Sequence, residues 1–305
     1  MKNVVAVVGP TASGKTALAL ELARRLDSEI ISADSMQVYR GMEIGTAAPT
    51  PGELARAKHH FVGILEPGEE FSAGRFERIA RPAVDALNAR GRIAVVAGGA
   101  GLYVRALIEG LFPGPAKDDS IRTRLHREAE EAGVPALYAR LQLHDPAYAQ
   151  VINPNDLRRI VRALEVYELT GEPLSKLHAK HKEAAMPLDA VQAAFDWPRE
   201  QLYARIDARV DRMIEQGFVE EVQRLLDAGY ARHLHRLRSL GYREIAAFLA
   251  GQKTLEEAVD AMKQNTRRFA KRQLTWFRAD PGIHWLNAGP ERTVESYADE
   301  VLGLL

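Results

Sequence analysis

The feature that most constrains this chain is the string Gly9-Pro10-Thr11-Ala12-Ser13-Gly14-Lys15-Thr16, which directly follows the apolar run Val4–Val8 and opens an amphipathic segment at 16–26. A strand, a loop of the form GxxxxGK[ST] and a helix in that order make a phosphate-binding loop. Glycines let successive backbone N–H groups converge on phosphate oxygens, where the helix N-terminus adds the positive end of its dipole. Lys15 adds a full charge, and the Thr16 hydroxyl is the expected protein ligand for Mg²⁺. The loop from Gly9 to Thr16 is therefore expected to hold a phosphate group, and an ordinary glycine turn is the weaker explanation.

The pattern around the loop sets the fold class. Residues 4–8, 29–33, 61–65 and 93–97 read as short strands, with helices at 16–26 and 76–89 between them. Such alternation implies a doubly wound parallel sheet of the α/β class. After Pro113-Gly114-Pro115 the pattern becomes helical, and one further apolar run at 190–195 reads as a fifth strand. The expected organisation is a P-loop core of residues 1–115 and 189–305 with a helical insertion domain at 116–188. Helices are expected at 201–216, 219–228, 242–250 and 255–278, and an edge strand at 283–286.

Composition narrows the function classes. With 41 Lys plus Arg against 41 Asp plus Glu, the chain as a whole advertises no polyanionic partner. Residues 228–278 nevertheless carry eleven Lys/Arg against four acids, which reads either as a solvated helical face or as a basic surface. The absence of cysteine excludes disulfides, Cys–zinc sites and a thiol nucleophile. No apolar stretch has the length of a membrane span, so a cytoplasmic protein that is a monomer and binds no membrane is expected. The pairs His178/His181 and His233/His235 have no further ligands at metal spacing and read as surface histidines.

A P-loop alone does not say which phosphate it holds. NTP-driven switches and motors need an acid at the end of another core strand to hold Mg²⁺. The strand at 93–97 runs instead into Gly98-Gly99, and the GTPase strings DxxG and NKxD do not occur. The acid is Asp34, at the end of the second strand and on the sheet edge where α/β ligands bind. As a general base it could take a proton from an attacking nucleophile; as a turn aspartate it would cap the segment that follows. From the residues alone both readings stand, and a small-molecule kinase using ATP fits the same parts.

A set of further strings carries a resemblance. DSMQVYRGMEIGT at 34–46, GGAGLY at 98–103, NDLRRIVRALEV at 155–166, RIDARV at 205–210, RSLGYR at 238–243 and KRQLTWFR at 271–278 resemble, in order, the signatures of the tRNA dimethylallyltransferases. That resemblance implies transfer of a dimethylallyl group from dimethylallyl diphosphate to N6 of the adenosine next to the tRNA anticodon, with release of diphosphate. It implies Asp34 as base, Lys15 and the loop on the leaving group, and Arg209 with Arg205 (i, i+4 on one helix face) on the same diphosphate. It implies tRNA contacts at Asp34, Ser35, Met36 and Gln37, at Ala100 and Arg122, and at Arg158, Arg159, Ile160, Val161 and Arg162. The segment Arg238, Ser239, Leu240, Gly241, Tyr242 and Arg243 is implied to join them, together with Lys271, Arg272 and Arg278.

Two positions depart from the family pattern: Ala100 and Ala48 stand where threonine and lysine are usual. A hydroxyl at position 100 could donate to the RNA beside the reacting base, and a hydrogen bond to a charged group contributes about 1.5–3 kcal/mol. Ala100→Thr is thus expected to raise kcat/KM for an anticodon stem-loop roughly ten- to a hundredfold. An unchanged or lower value would refute the missing contact.

Overall fold

The first strand, β1 (Val4–Val8), is fully buried along its whole length, as expected of a run with no polar face. It lies inside a six-stranded sheet with β2 (Ile30–Ser32), β3 (His59–His60), β4 (Ala94–Gly98), β5 (Ala190–Asp196) and β6 (Ile283–Asn287). The order is β3-β2-β4-β1-β5-β6 and every pairing is parallel. The computed structural model describes residues 2–184, 186–237 and 239–305. Arg238, one of the implied RNA contacts, lies outside the described residues.

Helices cover both faces of the sheet, as a doubly wound fold requires. Lys15–Arg25 and Val294–Leu302 pack on Val5, Val7, Val95, Ala193 and Phe195. Ala73–Asn88 and Gly101–Glu109 pack on β1, β2 and β4 from the opposite side. The C-terminal helices Arg199–Glu215, Phe218–Asp227, Tyr242–Leu249 and Leu255–Arg278 build a second core around Phe218, Tyr242 and Met262, into which Val38, Tyr39 and Met42 insert.

Some expected elements differ. The strand expected at 61–65 is only His59–His60, because Phe61 has φ 66° and Gly63 φ 59°, which breaks the extended backbone. The residues beyond pair instead with the loop at 37–40: Leu65 N–H donates to Val38 O (3.0 Å) and Arg40 N–H to Leu65 O (2.8 Å). Gly101–Glu109, Ala231–Leu237 and Val294–Leu302 are helices that the reading of the sequence left unassigned.

The chain divides into two compact units, Met1–Glu109 with Pro187–Leu305, and Gly110–Met186. The helical unit thus begins before residue 116, because the Phe112 ring packs against His178 and His181. It ends before 188, because buried Leu188 donates its N–H to Ile108 O (2.8 Å) in the core unit. Within the helical unit, Leu125, Leu137, Leu141, Ile160 and Leu164 form the core. Buried Glu165 accepts from Arg122 (2.8 and 2.9 Å), Arg162 (2.7 Å) and the Asp118 N–H (2.8 Å).

At its C-terminal end β4 comes so close to β2 that a Cβ on Gly98 would overlap the backbone of Ala33. Gly98→Ala must push apart the two strand ends that carry Asp34 and the glycine turn. It is expected to destabilise the protein by about 3 kcal/mol, the upper end for overpacking, read as a lower urea midpoint at constant m-value. A midpoint equal to that of the wild type would show that the strand ends are free to separate.

Candidate active site

The phosphate loop follows β1 and turns sharply, with φ 123° at Gly9, 62° at Ala12 and 103° at Gly14. Its carbonyls are taken by side chains from distant parts of the core unit. Trp197 Nε1 donates to Ser13 O (2.8 Å) and Arg205 Nε to Ala12 O (2.9 Å), and the Arg205 guanidinium lies 4.4 Å from the Trp197 ring centroid. Lys15 Nζ donates to Pro10 O (2.6 Å). Arg209 donates to Thr11 Oγ1 (3.2 Å), and the Thr11 N–H donates to Gln273 Oε1 (3.0 Å). Gln273 also donates from Nε2 to Gly99 O (2.9 Å), so one buried amide ties the phosphate loop to the glycine turn after β4.

Beside the loop lies a cleft of about 350 Å³ lined by Thr11, Lys15, Thr16, Asp34, Ala100 and Arg209, among others. Asp34 reaches it from the end of β2. Its Oδ1 accepts the N–H groups of Met36 (2.8 Å) and Gln37 (3.3 Å), which closes a turn, while Oδ2 takes no hydrogen bond among the described residues. The turn reading and the ligand reading of this aspartate are thus satisfied by different oxygens. Ser35, Met36 and Gln37 line the cleft too, but the Gln37 amide is engaged by the protein: Ser32 Oγ donates to Oε1 (3.0 Å) and Nε2 donates to Ala47 O (3.0 Å).

Electrostatics favour an anion. Burial, and next the Arg209 guanidinium, hold the Lys15 ammonium down to about 7, against an opposing pull from Asp34. Burial also lowers the Arg209 pKa, with Asp34 again opposing. Two crowded cations and one carboxylate leave the loop short of negative charge. Thr16 is exposed to the cleft, so a hard-oxygen donor stands where a phosphate-bound Mg²⁺ fits.

The implied RNA contacts divide by environment. Ser239, Leu240 and Arg272 line the cleft. Arg243 and Lys271 are exposed, and Arg278 donates to Asp196 (3.0 Å). In the helical unit Arg158 and Arg159 are exposed at the start of the helix Leu157–Thr170, while Arg122 and Arg162 are bound to Glu165. Three expectations need correction. Ile160 and Val161, at 0% and 4% exposure, are buried in the core of the helical unit. Tyr242, at 0%, is a core residue whose hydroxyl lies 2.7 Å from Glu221 Oε1, and Gly241 with φ 87° starts its helix. These side chains are closed to an RNA.

Ala100 is at the cleft and at the start of the helix Gly101–Glu109, accepting from the Tyr103 (2.8 Å) and Val104 (3.1 Å) N–H groups. A threonine there would cap the helix by about 1 kcal/mol, so Ala100→Thr raises thermal stability whatever it does to rate. Gln273 and Trp197 were missed by the sequence reading, although each stands beside residues that it used.

A parallel P-loop sheet whose strand ends gather cations and one carboxylate defines a phosphate-ligand protein of the α/β class. Comparison with known proteins then places it. The profile of the IPP transferase family matches residues 37–280. The tRNA dimethylallyltransferase 2 of Geotalea uraniireducens is 50% identical over 284 residues, 93% of this chain and 92% of that protein. The solved tRNA isopentenylpyrophosphate transferase of Bacillus halodurans superposes with a TM-score of 0.72 at 39% identity, over 99% of this chain and 96% of that one. A eukaryotic dimethylallyltransferase acting on tRNA gives 0.82 at 28% identity, over 98% of this chain and 77% of its own. The chain belongs to the IPP transferase family.

The Lys15 environment makes anion binding pH-dependent. A bound diphosphate favours the ammonium, so the pKa in the complex lies above the value of about 7 in the free protein. Affinity is then full below pH 7 and falls as pH rises above it, by up to roughly tenfold per unit until the pKa of the complex is reached. Lys15→Arg stays charged and removes this loss. Calorimetric titration of pyrophosphate into both proteins from pH 6 to 9 tests this, and parallel profiles would remove Lys15 as the titrating group.

Proposed function

We propose that the protein is a tRNA dimethylallyltransferase acting in the cytoplasm as a monomer. It transfers the dimethylallyl group of dimethylallyl diphosphate to N6 of the adenosine next to the anticodon. The observation that carries the reading is the shared cleft of the phosphate-loop cations and Asp34. Further support comes from relatives named tRNA dimethylallyltransferase along nearly the whole chain. A small-molecule kinase is not favoured: β4 ends in Gly98 with no acid to hold a nucleotide's metal, and the relatives are prenyl transferases.

In this mechanism the diphosphate lies on the loop as leaving group. The C1–O bond breaks with its electron pair going to diphosphate, and the N6 lone pair forms the new C–N bond. Lys15, Arg209 and the loop N–H groups stabilise the charge that develops on the departing oxygen. Thr16, with the diphosphate oxygens, would hold a Mg²⁺ ion that adds positive charge at the same place. Asp34 Oδ2 accepts the N6 proton and later releases it to water. A base inside a stacked loop cannot reach the cleft, so the adenosine has to be flipped out. Exposed arginines such as Arg158, Arg159 and Arg272 then meet the RNA phosphates.

Incubation with labelled dimethylallyl diphosphate, Mg²⁺ and total tRNA tests the reading. Label on tRNA supports it, whereas binding of tRNA without transfer, or transfer of an ATP γ-phosphate to a small acceptor, overturns it. Asp34→Asn keeps an oxygen for the turn and removes the proton acceptor. It is expected to lower the single-turnover rate roughly 10²–10⁴-fold while pyrophosphate still binds. Wild-type turnover in that variant would dismiss Asp34 as base.

A further inference from the structure

Outside the residues that face a substrate, the least expected group in the core unit is Glu221. It lies in the helix Phe218–Asp227 and is 1% exposed, yet among the described residues it has no ion-pair partner. Buried carboxylates are rare without a cation. This one accepts the backbone N–H groups of Ile44 (2.8 Å, Oε2) and Gly45 (3.0 Å, Oε1) and lies 2.7 Å from the Tyr242 hydroxyl. Burial pushes its pKa up, against the three hydrogen bonds.

What it holds is a wall of the cleft. Gly45 and Thr46 line the cleft. Gly45 lies so close to the Phe218 and Tyr242 rings that a Cβ there would overlap both. The turn ends at Ala47, with φ 47°, and the Ala47 carbonyl accepts from Gln37 Nε2 (3.0 Å). Gln37 in turn accepts from Ser32 Oγ (3.0 Å) at the end of β2, and its N–H donates to Asp34 Oδ1 (3.3 Å). Glu221, the turn, Gln37 and Asp34 are thus linked in series, by these hydrogen bonds and by the covalent backbone of residues 44–47 and of Gln37.

We propose that Glu221 is a positioning residue for Asp34, acting through the turn at residues 44–47 and the Gln37 amide. It touches no substrate. Its two oxygens fix the turn, the turn fixes Gln37, and Gln37 fixes the segment from which Asp34 faces the reacting amine. The diphosphate contacts come from other elements, so the chain bears on proton removal and not on anion binding. The inference rests on the prenyl-transfer reading.

Glu221→Gln keeps the shape but replaces one acceptor oxygen by a donor. It is expected to lower kcat by roughly ten- to a hundredfold, the scale of a small misplacement of a reacting group. The KM for dimethylallyl diphosphate and the affinity for pyrophosphate should stay within about twofold, a split that general loosening of the fold would not give. Gln37→Ala should lower kcat likewise, and the double variant should be no worse than the poorer single one, since both break the same chain. Wild-type kcat in Glu221→Gln, or additive effects in the double variant, overturns the inference. Should Glu221→Gln fail to bind pyrophosphate, Tyr242→Phe decides. It removes only the hydroxyl and is expected to lower kcat at unchanged pyrophosphate affinity, and an unchanged kcat overturns the inference. A wild-type protein that transfers no dimethylallyl group would instead refute the reading of function.

Discussion

The site depends on how the carbonyls of the phosphate loop are satisfied. A loop can aim its N–H groups at a phosphate only if its C=O groups find partners elsewhere. Here Pro10, Ala12 and Ser13 give their carbonyls to Lys15, Arg205 and Trp197. Two of those partners come from the far half of the sequence, so the helices after β5 complete a motif that starts at residue 9. The same helices bring Arg209 to Thr11 and Gln273 to both Thr11 and Gly99. Fold and anion site are therefore one construction, and a change in the helix Leu255–Arg278 can reach the phosphate without touching it.

What could be read in the sequence follows from this. β1, the loop and the helix Lys15–Arg25 were legible because their signals are local: a β-branched run, glycines at fixed offsets and an amphipathic period. β4 and β5 were legible as short apolar runs. β3 was not, because the aromatic residue that suggested a strand takes a left-handed backbone. Trp197, Gln273 and Glu221 were invisible for another reason. Their partners are 184, 262 and 177 residues away, and no pattern in a single sequence says which buried polar group meets which backbone group. Ile160, Val161 and Tyr242 show the converse error. A motif string marks a region, but a helix turns every third or fourth residue inward, so neighbours of a contact residue belong to the core.

The basic residues separate in the same way. Arg122 and Arg162 share the buried carboxylate of Glu165, so much of their charge is used inside the helical unit. Arg158 and Arg159 on the same motif string remain exposed. A surface ion pair such as Arg278–Asp196 contributes little to stability and can be exchanged for a phosphate. An overall charge of zero therefore says nothing about the local fields, which are set by which arginines have been spent on carboxylates.

The crowding of Lys15 and Arg209 completes the physical account. Both cations are desolvated, and the Arg209 charge further lowers the Lys15 pKa, so the loop holds a strained positive site. Asp34 opposes part of that shift in both cations. When an anion arrives, its negative charge offsets the crowding of the two cations. The cleft thus offers a positive place for the anion and, beside it, a carboxylate whose Oδ1 is held by the turn and whose Oδ2 takes no hydrogen bond among the described residues.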